Sequence, residues 1–171
     1  MTVRDIRLFG DPILKSPCEA AVAGADGKFD SKVRSLVEDL LDTTKLPGRA
    51  GVAATQIGVG IRAFSYNVGG AIGYLINPKI TSLSGEIEDL DEGCLSVPGL
   101  WHKTPRYHHA TAEGFDVDGN VLKVSGSGLL AQALQHECDH LDGLLYLDRL
   151  APEERKLAMR ALRESDWFLA N

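Results

Sequence analysis

His136-Glu137-Cys138-Asp139-His140 sets two histidines four positions apart around a glutamate, the pattern H-E-x-x-H. On a helix, residues i and i+4 share a face at about 6 Å, so both imidazoles can reach one ion. The intervening glutamate then projects beside that ion, where a general base acting on water belongs. The plainer alternative is a pair of structural histidines on a polar helix face. A helical setting for the motif argues for the ion.

Two histidines do not complete a catalytic site, which usually has three protein ligands and an open position. Cys18, Cys94, Cys138, the other histidines and any carboxylate are candidates for the third. Cys138 lies about 200° round the helix from His136, so it points away and reads as a small core residue. Cys18 follows Pro17 without polar company, and His108 and His109, adjacent in a strand-like run, must face opposite ways. His102, beside Trp101, reads as a surface residue. Cys94 sits between Gly93 and Gly99, where backbone can approach a ligand closely. Chemistry alone leaves it open whether Cys94 is the third ligand or a buried free thiol.

The motif needs a helix to carry it. Leu129, Leu130, Ala133, Leu134 and Leu141 predict one over Leu129–Leu141, central because of its apolar content, with Gly126–Gly128 as a loop ahead of it. Val33, Leu36, Val37, Leu40 and Leu41 predict another from about Ser31 to Lys45, capped by Asp30 or Ser31 and stopped by Pro47-Gly48. A third is expected from Pro152 to Trp167, with Glu153 and Glu154 at the positive end of its dipole. Ala20–Gly27 reads as a surface loop. Between these helices the chain is strand-like. Gly69-Gly70 joins Ile61–Val68 to Ala71–Ile76, Asn77-Pro78 breaks the run, and Lys79–Leu83 forms a further short strand. Asp118-Gly119-Asn120 joins Tyr107–Val117 to Val121–Val124. The expected class is α+β: short antiparallel or mixed sheets around a central metal-binding helix, with one N-terminal and one C-terminal helix.

The chain has 171 residues, enough for one domain with a proper core. Its net charge of -6 repels phosphate backbones, so neither DNA nor a membrane is an expected partner. No apolar run approaches the ~20 residues needed to span a bilayer, and the first residues lack a secretory pattern. Three irregularly spaced cysteines are no disulfide framework, and a cytoplasmic location is the default.

Three segments together resemble the peptide deformylase family, whose motifs have the form G-x-G-x-A-A-x-Q, E-G-C-x-S and H-E-x-D-H. The last two stand intact as Glu92-Gly93-Cys94-Leu95-Ser96 and His136-Glu137-Cys138-Asp139-His140, and the first as Arg49-Ala50-Gly51-Val52-Ala53-Ala54-Thr55-Gln56. Their order and separation match, as does Gly10-Asp11-Pro12-Ile13-Leu14, and the similarity runs from about Ile6 to Leu150. A single deformylase-like domain over residues 1–171 is therefore expected.

The resemblance implies that Cys94, His136 and His140 bind a divalent ion, Fe(II) by family habit, with Zn(II), Ni(II) or Co(II) also able to occupy the site. It implies hydrolysis of N-formylmethionyl nascent peptides to formate and a free N-terminus, by water activated at the ion. Glu137 moves the proton, and the Gln56 amide and the Leu95 backbone N–H stabilise the oxyanion. Gly51 would bind an extended peptide by strand addition. Ala50, Leu90, Leu129 and Ala133 are candidates for an apolar slot around the methionine side chain, against plain core packing. Arg106 and Asp139 could pair behind the ligands and orient the helix.

Arg49 departs from the family glycine, so altered substrate fit or loop geometry is expected there, with the catalytic groups untouched. A weakly active relative with a changed substrate is one alternative. A zinc peptidase shares H-E-x-x-H, but its third ligand is usually histidine or glutamate. A structural-metal scaffold or ribosome-associated binding protein would want a fourth protein ligand, and none is convincing. Lys156, Arg160 and Arg163 form a basic stripe on the last helix. Because the resembling family works on nascent chains, that stripe could touch ribosomal RNA; a solvated helix face is the alternative.

Overall fold

The computed structural model describes residues 2–170. Helix α1 (Ser31–Thr44) begins where the Asp30 carboxylate accepts from the amides of Lys32 and Val33, both at 3.0 Å. Its apolar stripe, Val33, Leu36, Val37 and Leu40, is buried against Val52, Ala54, Ala63 and Ile76 of the sheet layer. The sheet has five strands in sequential order: β1 (Gly51–Ala53), β2 (Ala63–Val68), β3 (Ala71–Cys94), β4 (Val97–Phe115) and β5 (Val121–Ser127). Every pairing between them is antiparallel, so the sheet is not mixed.

The expected short pieces are in fact two long strands. Asn77-Pro78 does not end β3 but forms a bulge, with the register shifting between Ile76 and Lys79. Asn77 adopts φ 50 and its amide side chain bonds both backbone groups of Ala21, at 2.8 and 2.9 Å. Those bonds hold the left-handed residue, and the ladder resumes beyond Pro78. A further shift between Ser84 and Ile87 brackets Gly85 at φ 80. The Gly93–Gly99 stretch is two strand ends joined by the turn Leu95-Ser96, with Cys94 paired to Val97. Gly69-Gly70 does turn the β2–β3 hairpin, with φ 60 and 83, as a tight two-residue connection requires. β5 also runs on through Gly126 and Ser127, pairing with Ala110 and His109, so that loop is shorter than expected.

Helix α2 (Leu129–Leu141) packs against all five strands. Its Ala131, Leu134, Cys138 and Leu141 are buried with Phe64, Leu75, Ala110 and Ala112. This makes it the central helix of an α+β fold. The expected C-terminal helix is broken in two. Helix α3 (Pro152–Arg163) stops at Glu164, and Ser165 leads into the one-turn α4 (Asp166–Leu169). Docking outweighs helix continuity there: Trp167 Nε1 donates to Pro98 O at 3.0 Å, and the Phe168 ring packs against Phe9 at 6.3 Å. Among the described residues, no helix is long and apolar enough to cross a membrane.

Candidate metal centre

α2 carries His136 and His140 on one face, with their Nε2 atoms 3.1 Å apart. The end of β3 brings Cys94 across, its Sγ 3.4 Å from His140 Nε2. The three donor atoms lie within 4.8 Å of one another, the one such cluster among the described residues. Metal–nitrogen bonds of ~2.0–2.1 Å and metal–sulfur bonds of ~2.3 Å, at tetrahedral angles, separate two nitrogens by about 3.3 Å and nitrogen from sulfur by about 3.6 Å. The observed spacings approach that template. At 3.1 Å the two imidazoles cannot both point a proton at each other, and the buried Nδ1 of His140 has no hydrogen-bond partner. A thiol and two imidazoles so arranged fit a divalent transition metal.

Behind the donors lies an ionic network. His136 Nδ1 donates to Glu92 Oε1 at 2.6 Å, which aims Nε2 at the cluster. Arg106 grips both oxygens of Glu92, at 2.9 and 2.6 Å, and reaches Asp139 at 2.8 Å. Arg149 closes on Asp139 from the other side, at 3.1 and 2.7 Å. The Arg106–Asp139 pair expected from sequence is therefore present; Glu92 and Arg149 were not foreseen in these roles. Burial works against the Glu92 carboxylate, but Arg106 and His136 overcome it and hold its pKa down at about 2. Burial likewise opposes the imidazolium of His136, yet Cys94 and Glu92 keep its pKa well above the usual value. His140, buried beside His136, is held well below it.

Glu137 is also buried, and desolvation pushes its carboxyl up to about 7 against the pull of His136. Its Oε2 has no partner, and its Oε1 would lie 2.5 Å from a Cβ placed on Gly51. Gln56 follows β1 in a 3₁₀ turn, Ala54–Ile57. Its Oε1 accepts from Ala53 N at 3.0 Å, leaving Nε2 to donate to Ser96 Oγ at 3.2 Å and toward Cys94 Sγ at 3.6 Å. A cavity of ≈ 760 Å³ opens over these groups.

Of the residues singled out from sequence, Ala50, Gly51, Gln56, Cys94, Leu95, Leu129, Ala133, His136 and Glu137 line that cavity. His140 lies beneath it, 1% exposed. Leu90 is not part of the lining. His102 is not the surface residue expected: it bonds Glu154 at 2.8 Å and stacks on buried Tyr146, whose ring stacks in turn on His136. Cys138 and Cys18 sit in the core, where burial pushes their thiols up to about 12 and about 11. They are poor ligands and poor nucleophiles.

A family model described as polypeptide deformylase matches residues 3–156. The chain belongs to the polypeptide deformylase family. A peptide deformylase of Acidothermus cellulolyticus is 50% identical over 98% of this chain and 89% of its own. Peptide deformylase 1 of Corynebacterium efficiens is 44% identical over 98% and 99%. Among solved structures, a peptide deformylase from Legionella pneumophila superposes with a TM-score of 0.86 at 34% identity, covering 99% of each chain. That from Thermus thermophilus gives 0.81 at 35%, covering 95% of this chain and 94% of its own. These are enzymes, and so is this member of the deformylase family. The family resemblance read from three motifs holds over nearly the whole chain.

Proposed function

We propose that this enzyme hydrolyses the N-formyl group of N-formylmethionyl nascent peptides, releasing formate, in the cytoplasm. The observation that carries the reading is the meeting, at the floor of one cavity, of the Cys94–His136–His140 donor set with the buried Glu137 carboxylate, whose Oε2 has no partner. A divalent ion held by those three residues, Fe(II) by family resemblance with Zn(II), Ni(II) or Co(II) suited to the same donors, supplies Lewis acidity to water and to the formyl oxygen.

Glu137 takes a proton from the water whose oxygen bonds to the formyl carbon. As the C–N bond breaks, it delivers that proton to the departing amine. A carboxyl poised near neutrality can serve both as base and as acid. The Gln56 Nε2–H and the Leu95 N–H donate to the oxyanion of the tetrahedral species. The free edge of β1 at Gly51 receives the peptide backbone as an added strand, since β1 pairs on one side only, with β2. Ala50, Leu129 and Ala133 enclose the methionine side chain; Leu90 lies outside the cavity and takes no part.

Formate release from formyl-Met-Ala-Ser, by protein purified without oxygen and loaded with Fe(II) or Ni(II), tests the activity. Absence of turnover with metal bound would overturn it. We also propose weak ribosome contact through α3. Arg160 and Arg163 are exposed there, while Lys156 is held by Glu153 at 2.9 Å. Co-sedimentation with ribosomes that ignores charge reversal at Arg160 removes that contact.

A further inference from the structure

The mouth of the cavity carries positive charge on an otherwise acidic chain. Arg49 lines it, half-buried, and one nitrogen, Nη1, donates to Thr43 O at 3.0 Å. That bond caps the C-terminal end of α1, a sufficient structural role for one arm of the guanidinium. The group has five N–H donors in a planar fork, so the cap fixes one arm and leaves donors for another partner. No carboxylate pairs with Arg49 among the described residues. Lys45 lines the same rim, its side chain 60% exposed, with Asp42 at 3.4 Å as its ion-pair partner.

The acids that border the cavity are spoken for. Asp91 pairs with Lys103 at 3.0 Å, Glu92 is locked to Arg106 at 2.6 Å, and Glu137 lies buried beside the ligands. Arg49 sits two residues ahead of Gly51, about 7 Å along an extended chain. A peptide added to the open edge of β1, with its formyl end over Glu137, therefore runs past these two cations.

We propose that Arg49, assisted by Lys45, is a specificity-determining residue that favours peptides with a carboxylate side chain among the first residues after the formylated methionine. This rests on the deformylase reading and assigns a role to the residue that departs from the family glycine. Both cations stand at the solvent boundary, so the preference is moderate and sensitive to salt.

The test compares formyl-Met-Ala-Glu-Ser, formyl-Met-Ala-Gln-Ser and formyl-Met-Ala-Lys-Ser. The expected kcat/KM order is Glu above Gln above Lys, spanning about three- to tenfold at low ionic strength and closing in about 0.5 M salt. Lys45→Glu, at an exposed site, should narrow the span, and Lys45→Glu with Arg49→Glu should invert it. Equal turnover of the Glu and Lys peptides by the unaltered enzyme, or an order that survives both reversals, overturns the proposal. Calorimetric titration of the metal-loaded enzyme with the product peptides Met-Ala-Glu-Ser and Met-Ala-Lys-Ser reads the same preference without chemistry. Tighter binding of the Glu product, with no formyl peptide turned over, sinks the deformylase reading and upholds Arg49. Equal binding of the two products sinks Arg49, whatever the turnover.

Discussion

His136 Nδ1 and Glu92 Oε1 lie 2.6 Å apart, and Glu92 is only 3% exposed. The contact fixes the tautomer of His136, the proposed metal ligand, and adds electron density to its ring, while Arg106 holds the carboxylate charged. Glu92→Gln keeps the shape and removes the charge. The expected result is a loss of metal affinity of about 10- to 100-fold, read by competition with a chelator. Affinity equal to that of the unaltered protein would show the contact to be packing alone.

Gly51 faces Glu137 so closely that a single methyl matters. A Cβ there would stand 2.5 Å from Glu137 Oε1 and 2.8 Å from its Cδ. Gly51→Ala must displace the carboxylate, since the β1 backbone is tied to β2. If Glu137 moves the proton as proposed, a displacement near 1 Å costs about 100-fold in kcat/KM. Metal content by elemental analysis should be unchanged, because the three atoms nearest the new methyl all belong to Glu137 and none to Cys94, His136 or His140. Loss of the ion together with activity would place the damage elsewhere.

Some of this site was legible from spacing and some was not. His136 and His140 announce themselves because a helix returns every fourth residue to one face, and the apolar stripe of α2 says which face is hidden. Cys94 is 42 positions before His136, and no local period reports a distance of that kind; the three-motif resemblance supplied it. Glu92 was not read for its role either: it stands two residues before Cys94, but the β3–β4 register shifts between them, so strand alternation does not report that both reach α2. Asn77-Pro78 and the break after Arg163 were misread for a related reason. The bonds that decide them run to Ala21 and Pro98, far along the chain. Local propensity yields to such contacts.

Gln56 is held from both ends before any substrate arrives. Its Oε1 accepts from Ala53 N, its backbone carbonyl accepts from Arg7 N at 2.7 Å, and its Nε2 is directed at the Cys94–Ser96 turn. A donor fixed in this way needs no reorganisation as negative charge develops. Gln56→Ala is therefore expected to lower kcat by about 100- to 1,000-fold with KM little changed. Steady-state kinetics on formyl-Met-Ala-Ser separate the two parameters. A rise in KM with kcat unaltered would assign Gln56 to substrate binding instead.

Asp148 offers a prediction remote from the donors. Its Oδ2 accepts from Lys15 Nζ at 2.6 Å and from Leu145 N at 2.9 Å, tying the segment ahead of α3 to the N-terminal 3₁₀ turn. Burial raises its pKa, but Lys15, the Leu145 amide and Arg155 outweigh that and leave it below the usual aspartate value. A carboxylate with a depressed folded-state pKa stabilises the native state fully above the unfolded value of ~3.9 and loses that contribution as pH falls through the folded value. Asp148→Asn should then cost about 1 kcal/mol at neutral pH, where the charge-assisted bonds are present, and progressively less below about pH 4. Urea unfolding at pH 7 and at pH 3 measures the difference. A deficit that stays constant across that range would mean the side chain acts by shape and not by charge.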